Sequence, residues 1–171
     1  MSLFQNIVII LVLIAGAGFL SLTEIALAGA RKVKLKILAE SGDDRAQKVL
    51  NLQENSADFF AASQIGLNAV AILGGILGEG AFRPYFMSFV ARFYTGPWSE
   101  TISFALSFTL VTSLFILFAD LMPKRLAMIA PEKISIAVIN PIQVFIKVCK
   151  PLAWIINALA NLLFRLFKVN T

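Results

Sequence analysis

The sequence predicts an all-α integral membrane protein with three transmembrane helices per subunit and further helices at the membrane surface. Of the 171 residues, 58% are hydrophobic and only 15% are charged, and the mean hydropathy is +0.82. Three long stretches carry no charged side chain: residues 1–23, 59–78 and 101–119. A helix needs about 20 mainly apolar residues to cross the hydrocarbon core, so each stretch predicts one span.

The first apolar stretch is predicted to be a retained helix and not a cleaved signal. It lacks a basic N-terminal region, and it runs into Glu24 and Arg31 without a clear small-residue cleavage site. With their flanking residues, the three spans are expected over these ranges: about 3–28, 57–80 and 99–122.

The basic residues predict the orientation of the chain. Of its 15 Lys and Arg residues, none precedes the first span, six lie in the first loop, two in the second loop and seven after the third span. Cytoplasmic loops carry an excess of Lys and Arg, so the N-terminus is predicted outside the inner membrane and the C-terminus in the cytoplasm. The net charge of +5 therefore indicates topology and contact with membrane lipid. No element that reads nucleic acid is evident.

Interfacial helices are predicted over about 30–53 and 131–168, because both segments mix apolar faces with lysines. For the first segment, the alternative is a pair of soluble helices packed on a cytosolic domain. The second segment is interrupted by Pro131, Pro141 and Pro151, and its charge-free pieces of 13 and 14 residues are short for a span. A fourth span in this tail is the alternative topology.

Residue usage argues against an enzyme. The chain has no histidine and a single cysteine, Cys149, which makes a zinc or haem site very unfavourable and excludes an intramolecular disulfide. The glycine-rich residues 74–80 lack the Lys-Ser/Thr of a phosphate-binding loop. We therefore predict no catalytic residues.

Acidic and polar side chains of the spans are the candidate binding residues. Glu24 closes the first apolar run and Asp120 the third, and a carboxylate in a bilayer is costly unless it meets a partner, a water-filled cavity or a cation. Ser21 precedes Glu24 by one turn, and Asn68 supplies an amide in the second span. Such oxygens bind hard cations. The alternatives are hydrogen bonds between helices and, for Asp120, an ion pair with the basic residues that follow it.

Three motifs carry a family resemblance: Phe19–Leu27 around Ser-Leu-Thr-Glu, Ser63–Gly66, and Asp120–Ala127 with its acid-x-x-Pro-Lys pattern. Together they resemble the transmembrane domain of the CorC / cyclin-M (CNNM) family, also called hemolysin-like, and within it the bacterial YtfL-type branch. The likeness covers nearly all of the chain.

The resemblance implies a homodimer with a cytoplasm-facing polar cavity that takes Mg²⁺. Ser21, Asn68 and Asp120 would be metal ligands, with Glu24 as a further acid. Full-length members continue into a CBS-pair domain that binds adenine nucleotide and then a CorC-type domain, and we expect both to be absent here. Asp120 stands where glutamate is commoner and Ala119 where glycine is usual, which leaves the identity of the ion open.

Mg²⁺ efflux is accordingly the main functional hypothesis. Two alternatives remain: export of organic polycations such as polyamines, and a membrane anchor or dimerisation unit for the missing regulatory domains.

Overall fold

The computed structural model describes residues 3–166, with side chains described for residues 4–152, Trp154, Ile155 and Ala158. All regular secondary structure in this range is helical, which confirms the predicted all-α class. The elements are, in chain order, α1 (Leu3–Gly29), α2 (Lys32–Glu40), α3 (Asp44–Glu54), α4 (Ser56–Val90), α5 (Ser99–Phe115), a π turn (Ile116–Leu121), α6 (Met122–Ile129) and α7 (Pro131–Leu166).

Within the described residues, four helical segments are long and apolar enough to cross a membrane. They are Phe4–Gly29, Ser56–Val90, Ser99–Ile129 and Pro131–Leu152. The first three contain the predicted spans, but the fourth lies in the segment predicted to be interfacial, so the count of three stays a prediction.

The difference in the tail has a local cause. Helix α7 continues through Pro141 and Pro151. It therefore joins the charge-free pieces that are each too short to cross a membrane. Each proline lacks an N–H and removes one helical hydrogen bond, a loss that a helix tolerates when its surroundings satisfy the freed carbonyl. Residues 167 and 168 of the predicted tail lie outside the described residues.

The chain divides into two compact units. Within the described range, the first unit contains residues 3–22 and 66–129, and the second contains residues 23–65 and 130–166. Helices α1 and α4 contribute to both units.

In the first unit, glycines bring α4 close to α5. A Cβ added at Gly74 would overlap the ring of Phe115, and one added at Gly78 would overlap the side chain of Val111. Gly74 and Gly78 are four residues apart and share one helix face. This pair of small residues thus allows two helices of one chain to approach closely.

In the second unit, α2 packs on α3, and α3 packs on α7. Leu35, Ala46 and Val49 are fully buried at the centre of this packing. The two helices agree closely with the predicted segment 30–53.

The turn between α2 and α3 follows from its residues. Gly42 has a φ of +98°, a left-handed conformation that glycine adopts without steric cost. Asp43 then caps α3 by accepting a hydrogen bond from the Arg45 backbone N–H at 3.0 Å. The side chain of Arg45 also bonds to this carboxylate, and together these contacts hold the pKa of Asp43 below its ordinary value.

Candidate cation-binding site

Ser21 and Asp120 meet in the first unit, although 99 positions separate them in the sequence. The Ser21 hydroxyl donates a hydrogen bond to Asp120 Oδ1 over 3.2 Å. Ser21 is fully buried, whereas 47% of the Asp120 side chain is exposed. The pair thus forms a carboxylate that is held by a buried hydroxyl and remains open to a ligand.

Lys124 supplies a cation to the same carboxylate. Its Nζ lies 2.6 Å from Asp120 Oδ1, and 34% of its side chain is exposed. This is the ion pair that the sequence left as an alternative. Both the Ser21 hydroxyl and the Lys124 ammonium contact the same oxygen of this carboxylate, Oδ1.

The backbone that carries Asp120 is the π turn Ile116–Leu121. Its hydrogen bonds reach back five residues, as the Met122 N–H does to the Leu117 carbonyl. Such turns are rare and occur frequently at functional sites. Pro123 follows at once and has no N–H to donate. The sequence gave no sign that a wide turn includes the acid.

Gly18 allows α1 to reach this turn. A Cβ at Gly18 would lie 3.2 Å from Pro123 Cγ and 3.4 Å from the Phe118 carbonyl oxygen. Ser21 follows Gly18 by three residues and lies on the same side of α1. The close approach at Gly18 therefore helps to set the distance from Ser21 to Asp120. Sequence reasoning missed Gly18, whose only signal is its small size one turn before a polar residue.

Among the described residues, no hydrogen bond joins the other two predicted site residues, Asn68 and Glu24, to this pair. Asn68 is exposed on α4 and forms no hydrogen bond with Ser21 or Asp120. Glu24 is partly exposed, and neither Arg31 nor Lys32 lies within ion-pair distance of it. Among the described residues, no three Asp, Glu, His or Cys side chains come together as a metal cluster. The ligand roles of Ser21, Asn68, Asp120 and Glu24 stay predictions.

A second ionic cluster, which the sequence reasoning missed, also lies in the first unit. Arg83 Nε is 3.6 Å from Glu79 Oε1, and Arg83 Nη2 is 2.7 Å from Glu100 Oε1. Glu79 Oε1 is buried and accepts no hydrogen bond. One arginine thus neutralises two carboxylates, one of them largely removed from solvent. The spacing of Glu79 and Arg83, four residues apart, is the signal that was available.

Comparison with known proteins gives the family. A family model described as the cyclin M transmembrane N-terminal domain matches residues 8–171. The chain belongs to this family. The resemblance inferred from the three motifs is therefore confirmed. With four helical segments long enough to span within residues 3–166, this cyclin M transmembrane domain is a multi-pass membrane protein.

Curated relatives of this cyclin M domain include exporters. The polyamine export protein of Escherichia coli K12 is 54% identical over 167 residues, which are 98% of this chain and 37% of the relative. The polyamine export protein of Haemophilus influenzae is 44% identical over 171 residues, all of this chain and 40% of the relative. The UPF0053 protein YhdT of Bacillus subtilis is 29% identical over 97% of this chain and 36% of its own length. The chain thus spans about two fifths of these relatives.

Proposed function

We propose that this membrane domain exports organic polycations of the polyamine type through the site at Asp120. One observation carries the proposal: the Asp120 carboxylate binds a primary ammonium, that of Lys124, at 2.6 Å. The ends of a polyamine carry the same chemical group. The printed names of the Escherichia coli and Haemophilus influenzae relatives support this choice of substrate.

The chemistry of the pair suits an ammonium ion. An alkylammonium has three N–H donors and no acceptor, so it needs acceptor oxygens around it. Asp120 supplies carboxylate oxygens, and the Ser21 hydroxyl has acceptor capacity besides the hydrogen bond that it donates. A carboxylate that is about half exposed allows exchange of one cation for another, which an exporter requires.

Mg²⁺ efflux is the second candidate. It is favoured by the hydroxyl and carboxylate oxygens of Ser21 and Asp120, which are hard ligands. Mg²⁺ prefers six oxygens at about 2.0–2.1 Å. One carboxylate and one hydroxyl supply few of these, so water or backbone carbonyls would have to complete the shell. A polyamine makes no such demand, and we therefore place it first.

The proposal keeps the arrangement that the sequence predicts. The domain would act as a homodimer in the inner membrane, with the N-terminus outside and the site reached from the cytoplasm. In a longer protein, a CBS-pair domain that binds adenine nucleotide would adjoin its C-terminal end. None of these features is needed for the binding chemistry at Asp120.

Flux through reconstituted vesicles tests the proposal. The chain, Asp120→Asn and the matched control Asp44→Asn, an exposed acid on α3, would be compared for transport of labelled spermidine and of Mg²⁺. We expect saturable spermidine flux in the parent and the control, and its loss in Asp120→Asn. If the parent transports Mg²⁺ but no spermidine, and Asp120→Asn loses the Mg²⁺ flux, Mg²⁺ efflux would replace polyamine export as the proposed function. Absent or Asp120-independent flux would favour the membrane-anchor alternative.

A further inference from the structure

We propose that Lys124 is a tethered competitor for the cation site. Its ammonium occupies Asp120 when no cargo is bound, and cargo must displace it. The inference rests on the proposed function only in that Asp120 binds the cargo. It assigns to Lys124 a role in setting the affinity of the site.

The geometry gives Lys124 the position of a ligand. Its Nζ lies 2.6 Å from Asp120 Oδ1, a shorter contact than the 3.2 Å from the Ser21 hydroxyl to the same atom. Asp120 precedes Lys124 by four residues, the order and spacing that favour an ion pair on a helix surface. Lys124 belongs to the first turn of α6, directly after Pro123. The helix therefore holds the competing ammonium beside the site at all times.

The pair is accessible enough to be opened. The exposed fractions are 34% for the Lys124 side chain and 47% for that of Asp120. Ion pairs with this degree of solvent contact are favoured over their separated state by roughly fivefold or less. Because this end of the span is predicted to face the cytoplasm, water there would solvate the released ammonium. Displacement of Lys124 by cargo thus costs little free energy, whereas displacement from a fully buried pair would cost more.

Displacement of a like group lowers the affinity of every cargo that binds Asp120. A monovalent amine that replaces Lys124 exchanges one ammonium for another on the same carboxylate, so it gains little. A polyamine brings further positive groups that can bind other oxygens, and these contacts have no counterpart in the lysine. The tethered ammonium therefore raises the concentration that each cargo needs by the same factor, and the polyamine, with its additional contacts, still binds at the lower concentration.

Titration calorimetry on the purified chain tests this role. The variant Lys124→Met removes the charge and keeps most of the stem, and Arg125→Met is the matched control, because Arg125 is the exposed neighbouring cation. The probes are spermidine, butylamine and Mg²⁺. We expect Lys124→Met to bind spermidine and butylamine each about fivefold more tightly, because a competitor for the same carboxylate weakens both ligands by the same factor. Arg125→Met should change either affinity by less than about twofold.

Unchanged or weaker spermidine binding in a folded Lys124→Met would overturn the inference, because Lys124 would then only support the fold or orient Asp120. Tighter spermidine binding is also expected for Lys124→Gln, which replaces Lys124→Met in the test if the methionine variant does not fold. If the parent binds Mg²⁺ but no spermidine, the proposed substrate fails, and tighter Mg²⁺ binding in Lys124→Met still supports a tethered competitor. If the parent binds no probe, both proposals fail.

Discussion

Replacing Gly18 by valine should open the cation site while leaving α1 helical. A Cβ at this position would lie 3.2 Å from Pro123 Cγ and 3.4 Å from the Phe118 carbonyl oxygen, so alanine already requires a shift of a few tenths of an ångström. The γ-methyl groups of valine extend about 1.5 Å further, so α1 must withdraw on the order of 1 Å from the π turn. Overpacking of this kind typically costs about 1–3 kcal/mol.

The same withdrawal should break the contact that holds Asp120. The Ser21 hydroxyl is 3.2 Å from Asp120 Oδ1, and a hydrogen bond is no longer formed beyond about 3.5 Å. Asp120 is then less well held, so spermidine should bind roughly threefold to fivefold more weakly, a smaller loss than removal of the Asp120 charge should cause. Titration calorimetry measures this loss, and thermal unfolding in detergent measures the stability.

Gly16→Val is the matched control, because a Cβ at Gly16 meets nothing within 4 Å. It introduces the same side chain into the same helix two residues away. We expect its stability and its affinity for spermidine to stay close to those of the parent. If Gly18→Val matched Gly16→Val in both measurements, the close approach of α1 to the π turn would not hold the site together.

Two further variants test the packing around the site and in the second unit. Arg83→Met should lower the free energy of unfolding by about 1–3 kcal/mol, because the buried Glu79 oxygen loses its counter-ion. Thermal unfolding checks this, with Arg92→Met, at an exposed cation, as the control. Equal melting temperatures of the two variants would contradict the prediction. Gln53→Leu should expose the end of α1 to faster amide hydrogen exchange, because the Gln53 amide donates to two carbonyls there at 2.8 and 2.9 Å. Gln47→Leu, at an exposed position, is the control, and equal exchange in the two variants would refute the capping role.

Hydropathy and turn chemistry predict much of the fold because they are local properties. The apolar runs locate α1, α4 and α5, and Gly42 with Asp43 marks the break between α2 and α3. The structure of the segment 131–168 was harder to predict, because a proline removes one hydrogen bond without always ending a helix. Whether α7 continues through Pro141 and Pro151 depends on its surroundings, which a local rule does not include.

The site was predictable in part. Ser21 and Asp120 were chosen as polar residues in separate apolar runs, and the structure brings them into contact. Asn68 was chosen in the same way in the second span, but its side chain is exposed and forms no hydrogen bond with that pair. Gly18 and the π turn could not be derived, because both depend on how closely α1 packs against Pro123, a contact between distant parts of the chain.

Spermidine binding by Asp120→Asn is the most direct test of the claim that this carboxylate is the cation site. Asparagine keeps the size of the side chain and its hydrogen bonding but removes the charge, so folding should survive. In titration calorimetry we expect the affinity to fall at least tenfold relative to the parent, as the loss of a charge-assisted contact of about 1.5–3 kcal/mol requires. Ser21→Ala, which removes a neutral hydroxyl, should lose less. Binding by a folded Asp120→Asn as tight as that of the parent would contradict the assignment of the site.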